Sequence, residues 1–353
     1  MRLHLHPTRR EALTVSETTL TRWSLAGRFP SKLRQVSTAP HSLLDLIILQ
    51  DGRLAISGGV TGASDGDLFA LQSIDSQKQK PTDPCVIELR HWEDFSLAKT
   101  FTIAQAFGPL DSIDSSADGR WLVVGIGAPE RIFLLDRQTG EIMSHHAVGG
   151  YKITGLTFDP TSTFIAGIAC HDNWGQLFLW KLTSAEYFQS HWEEDQSSGA
   201  FPPNLGKGAC SLKVEHWELD RTGVAWPKND LADTIGTTVF SPDGHLVVFR
   251  LLSFYNTPFV DFVAYEVPSG KQRWHIRRES DEGFGECFAF PPDGQYVLIC
   301  GQDNTLSMYR ASDGTLQSHF PSGVREPIQA LAFDHDGTTL WLASGETVIP
   351  YLL

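Results

Sequence analysis

Apolar residues along the chain come in short runs that close on a polar turn and then resume. TTVFSPDGHLVVF at 237–249 and CFAFPPDGQYVLI at 287–299 are the clearest instances. LAFDHDGTTLWLA at 331–343 and SIDSSADGRWLVV at 112–124 repeat the pattern. Weaker copies are LIILQDGRLAIS at 46–57, LTFDPTSTFIAGI at 156–168 and RLHLHPTRREALTV at 2–15. Runs of this length, bounded by Asp, Gly and Pro, read as strands. The pairs Asp118-Gly119, Asp243-Gly244, Asp293-Gly294 and Asp336-Gly337 supply residues that tolerate positive φ, which a tight hairpin needs.

A third strand follows each hairpin, and usually a fourth. After Gly294 come QYVLICG, TLSMYRAS, the turn Asp313-Gly314 and TLQSHF. After Gly119 come RWLVVGIG, RIFLLDR, Thr139-Gly140 and EIMSHHAV. Four antiparallel strands in about 40 residues is the size of a propeller blade. Helical periodicity is weak and turn signals are dense, so the expected fold is all-β with radial repetition. The prediction is one domain over 1–353, a seven-bladed β-propeller with four-stranded antiparallel blades. The units span about 1–37, 41–104, 108–148, 151–234, 235–279, 283–322 and 325–353. Two carry insertions, at about 58–84 and 183–230. The last unit has only three strands, IQALAFD, TLWLAS and TVIPYLL. Residues 2–6 are already needed as the inner strand of the first unit, so the last blade is expected to be incomplete or to borrow a strand.

The units resemble WD repeats. That family places a Trp-Asp pair at the end of its third strand and an Asp-Gly-type turn before it. Here the tryptophan position is held by Trp23, Trp92 and Trp180, followed by Ser24, Glu93 and Lys181. Tyr265, Tyr309 and Leu135 replace it elsewhere, and His41 is the nearest echo of the family's Gly-His. The resemblance is carried by rhythm over nearly the whole chain and only weakly by signature. It implies a non-catalytic platform, a scaffold or adaptor for protein partners. The alternative it leaves open is a propeller hydrolase or lyase, with or without a metal, with its site at the channel mouth.

Charge narrows the partners. The net charge is −14 with histidine neutral, which disfavours non-specific contact with nucleic acid or an anionic membrane. No run approaches the ~18 apolar residues of a spanning helix. Arg2, Arg9, Arg10, Arg22, Arg28, Lys32 and Arg34 nevertheless concentrate in the first unit against Glu11 and Glu17. They form either a solvated face or a patch for an acidic partner. The five cysteines include no CxxC, and the start MRLHLHPTRREAL has no apolar stretch of signal-peptide length. Cytoplasmic location with reduced thiols is the expectation.

Local catalytic motifs are poor. Gly62-Ala63-Ser64-Asp65-Gly66 matches G-x-S-x-G, but no βαβ alternation surrounds it. Asp65-Gly66-Asp67 lacks the further carboxylates of a calcium loop. Gly125-Ile126-Gly127 lacks the third glycine of a dinucleotide loop and reads as strand-end punctuation. His145-His146, His191 and His216 are metal candidates only if ligands converge from several blades. No catalytic residue, metal ligand or cofactor is assigned. The partner-binding candidates are Trp192, Phe201, Trp217 and Trp226, in the second insertion. Large aromatics rimmed by Glu193, Glu194 and Asp195 have the composition of interface anchors; otherwise they pack down as a satellite core.

Overall fold

The computed structural model describes residues 2–16, 19–27, 29–37, 46–49, 51–58, 84–107, 110–127, 130–147, 152–171, 174–183, 213–218, 236–253, 259–279, 287–301 and 303–352. Antiparallel sheets follow one another along the chain. The first holds β1 (Arg2–Leu5), β2 (Glu11–Val15), β3 (Thr19–Ser24) and β4 (Ser31–Ser37). The second holds β5 (Leu46–Ile48), β6 (Leu54–Gly58), β7 (Pro84–Arg90) and β8 (Leu97–Phe107). β9 (Leu110–Ser115), β10 (Trp121–Gly127), β11 (Glu130–Asp136) and β12 (Ile142–Ala147) make the third. β13 (Lys152–Phe158), β14 (Phe164–His171), β15 (Trp174–Thr183) and β16 (Lys213–Glu218) make the fourth. The fifth is β17 (Gly236–Phe240), β18 (Leu246–Ser253), β19 (Phe259–Glu266) and β20 (Gln272–Glu279). The sixth is β21 (Cys287–Ala289), β22 (Tyr296–Cys300), β23 (Thr305–Arg310) and β24 (Leu316–Pro321). Last come β25 (Ile328–Phe333), β26 (Thr339–Ser344) and β27 (Thr347–Leu352).

The chain is an all-β propeller with four-stranded antiparallel blades. The expected count is corrected: six sheets are four-stranded blades, and the last, β25–β27, has three strands. The reason lies in pairing. β1 is the natural candidate for a closing strand, but it pairs with β2, Arg2 opposite Val15 through Leu5 opposite Ala12. First strands gather toward the axis: β13 lies against β9 and β17, and β1 against β25 and β5.

Burial follows radial position. Trp121 through Ile126 of β10 are all buried, because a second strand is covered on both faces by neighbouring sheets. A strand covered twice is a continuous apolar run rather than an alternation. β24, an outermost strand, is largely exposed and reads LQSHFP. Sheets pack through shared apolar layers. Trp121, Val123 and Leu134 of the third sheet meet Ile153, Ile165 and Trp180 of the fourth. Leu3, Ala12 and Trp23 of the first sheet pack with Trp341, Ala343 and Val348 of the last. Close approach explains Gly125, which lies inside β10 rather than at its end; a Cβ there would come within 2.7 Å of the Ile153 side chain.

The Asp-Gly turns work differently from a hairpin with both residues at positive φ. Only the glycine adopts it: Gly119 at 69°, Gly244 at 72°, Gly294 at 65° and Gly337 at 72°. The aspartate acts through its carboxylate. Asp118 Oδ1 accepts the Arg120 N–H at 3.0 Å, and Asp243 Oδ1 the His245 N–H at 3.0 Å. In the fourth sheet Ser162 takes the glycine's place at φ 61°. Its hydroxyl accepts the Asp118 N–H of the third sheet at 3.1 Å. A left-handed non-glycine residue costs about 1–2 kcal/mol. One hydrogen bond returns about 0.5–1.5 kcal/mol, so the position is close to balanced.

Candidate functional site

The first turn of each sheet lies against its neighbour, forming a belt. A Cβ on Gly294 would sit 3.4 Å from Pro242 Cδ, and one on Gly337 3.0 Å from Pro292 Cδ. At the last sheet His335 replaces the proline, and its Nε2 donates to the His6 carbonyl of the first sheet at 3.1 Å. The belt opens into a cleft of about 210 Å³ where the first sheet meets the second.

The cleft is lined by His6, Thr8, Arg9, Asp51, Gly52, Arg53, His91, Trp92 and Glu93. His6 caps the turn after β1: its Nδ1 accepts the Thr8 N–H at 3.2 Å and the Arg9 N–H at 3.1 Å. It must be neutral at Nδ1 to do so. Burial, with Arg9 nearby, lowers its pKa. Its ring meets Trp92 edge-on at 4.7 Å. Gly52 is required opposite it twice over. Its φ is +78°, and a Cβ would stand 2.9 Å from His6 Nε2.

The charges are paired before any partner arrives. Arg9 Nη1 lies 2.7 Å from Glu93 Oε1, and that hydrogen bond lowers the Glu93 pKa. Asp51 accepts from Arg53 Nη2 at 2.8 Å and from Arg137 Nη1, on the third sheet, at 2.7 Å. Burial raises the Asp51 pKa, but these hydrogen bonds outweigh it and hold the carboxyl at about 2. Arg22 Nη1 ties the rim down by donating to the carbonyls of Trp92 at 2.9 Å and Glu93 at 2.6 Å. Trp92 Nε1 donates to Glu11. The arrangement presents donors and acceptors at fixed positions.

Sequence reasoning placed its partner site elsewhere. Trp192, Phe201 and Trp226 lie outside the described residues, as does the G-x-S-x-G segment 62–66. Trp217 is in β16, opposite Leu179 of β15. The segment 184–212 therefore joins a third strand to a fourth, whereas 59–83 joins a second to a third, and the two leave opposite ends of their sheets. Trp23 and Trp180 sit in third strands as expected. Trp92 instead lies in the turn beyond β7, where it closes the cleft floor. Among the described residues no group of three or more His, Cys, Asp or Glu could hold a metal ion. The cleft was missed because its residues come from 6–9, 51–53 and 91–93. The Asp51-Gly52 turn and the buried aromatic Trp92 were its only local signals.

Antiparallel four-stranded sheets with linked first turns define a repeat β-propeller. The family model described as WD domain, G-beta repeat matches residues 286–310, which contain β21, β22 and β23. The match gives the β-propeller one repeat of the WD type, in its sixth sheet. A search of curated proteins finds no match. Among solved structures, a chain of "Crystal Structure of Mitotic Checkpoint Complex" has a TM-score of 0.59 at 13% identity. The alignment covers 97% of this chain and 83% of that one, a likeness of fold.

Proposed function

We propose that this protein is a non-catalytic platform for protein partners, acting in the cytoplasm. The observation that carries the reading is the cleft between the first two sheets, where Arg9 pairs with Glu93 and Asp51 with Arg53 and Arg137. Complementary charge selects partners more than it adds affinity. The WD-type repeat and the likeness to a subunit of a protein complex support it. The three-stranded sheet packs on the first sheet through the layer around Trp23 and Trp341. Trp192, Phe201 and Trp226, with Trp217 of β16, supply a second contact area.

The test is affinity capture from the native host with two variants beside the wild type. One reverses the cleft pair, Arg9→Glu with Glu93→Arg; the other removes the insertion aromatics, Trp192→Ala, Trp217→Ala and Trp226→Ala. Circular dichroism confirms that each is folded. Loss of the same partner from a folded variant supports the platform. Full recovery of every partner by both folded variants overturns it.

A further inference from the structure

Cys287 is the first residue of β21 and Cys300 the last of β22, and the register sets them directly opposite one another. Both are present as thiols. Both belong to the apolar layer between the sixth sheet and the last, with Cys300 fully buried beside Leu298 and Leu342 and Cys287 packed against that layer at partial burial. They therefore share one face of the sheet.

Their geometry suits a bond. Opposed Cα atoms in an antiparallel ladder lie about 4.5–5.5 Å apart. A disulfide spans about 4.4–6.8 Å. Opposed Cβ atoms lie about 4.5–5.5 Å apart, and a disulfide draws them to about 3.8 Å. The strands must close by about 1 Å. The pair stands at the end of a three-residue strand, where such a shift disturbs the fewest ladder bonds.

We propose that Cys287 and Cys300 form a reversible disulfide when the protein meets a hydroperoxide. Cys287, the half-buried member, reacts first. Its thiolate attacks the peroxide oxygen and the O–O bond breaks. The products are a sulfenic acid and an alkoxide or hydroxide that takes up a proton. The Cys300 thiolate then attacks the Cys287 sulfur. The S–S bond forms, the S–O bond breaks, and hydroxide leaves as water. Two thiols are oxidised and one hydroperoxide is reduced. The product staples the innermost strand of the sixth sheet to its neighbour, at the joint with the last sheet.

The experiment treats the full chain with hydrogen peroxide under native conditions, then alkylates it after denaturation. It is run on wild type and on a variant carrying Cys85→Ser, Cys170→Ser and Cys210→Ser. Expected in both is a mass lower by two hydrogens before alkylation, two fewer alkyl groups after it, a peptide joining 287 to 300, and full reversal by dithiothreitol. In Cys300→Ser the bridge is lost and a 1,3-diketone traps the Cys287 sulfenic acid. Full alkylation of both thiols after peroxide, in protein that circular dichroism shows to be folded, overturns the proposal. So does a bridge only between two chains, or over-oxidation without any bridge.

Discussion

His335 Nε2 lies 3.1 Å from the carbonyl oxygen of His6, joining residues 329 apart in sequence. This one hydrogen bond carries the belt of turns from the last sheet back to the first. His335→Ala should lower unfolding stability by about 1 kcal/mol, the usual net worth of such a bond. His335→Gln, which keeps a donor, should lose less. Urea denaturation of the two variants checks it; equal losses would show that only packing is involved.

His6 should make stability fall as the solution is acidified. Its folded pKa is depressed by burial and by Arg9, against 6.5 for the free side chain. Below about pH 6.5 the unfolded chain takes up a proton that the folded turn refuses, because Nδ1 is already accepting two N–H groups. His6→Asn keeps a short polar acceptor without titrating. The difference in stability between wild type and this variant should shift against wild type from pH 7 to pH 5. A constant difference would count against the assignment.

Asp114 should act in the opposite sense. Its carboxylate accepts the Phe158 N–H of the fourth sheet at 2.7 Å, yet burial outweighs that bond and raises its pKa to about 6. The folded state then holds a proton that the unfolded chain has released, so this group's contribution declines as pH rises from about 3.8 to about 6. Asp114→Asn removes the titration while keeping an acceptor. Relative to wild type the variant should gain stability across that window, measured by denaturant titrations at several pH values.

Gly337 and Gly323 separate backbone conformation from inter-sheet contact. Their φ values are +72° and +74°. A Cβ on Gly323 meets nothing within 4 Å, whereas one on Gly337 stands 3.0 Å from Pro292 Cδ. Gly323→Ala should cost about 1 kcal/mol, the left-handed penalty alone. Gly337→Ala should cost more, because the turn of the sixth sheet must also move. Thermal unfolding of the pair gives the comparison, and equal shifts would mean that the belt does not bear on stability.

Read alone, the sequence determined the class of fold and the turn positions. These are local properties. An apolar run, a positive-φ glycine and an aspartate two residues before an amide are all set within a dozen residues, as at Ser241–Leu246. It also assigned residues 2–6 correctly to an inner strand beside 11–15. Tertiary structure decided what depends on neighbours. It placed Gly125 mid-strand against Ile153 and put Trp92 in a turn over His6. It assembled the cleft from segments at 6–9, 51–53 and 91–93, and set Cys287 opposite Cys300. Spacing within one repeat specifies a strand and its turn. It carries no information about which side chain of one repeat will meet which of the next, because that is fixed only when the sheets pack around a common axis.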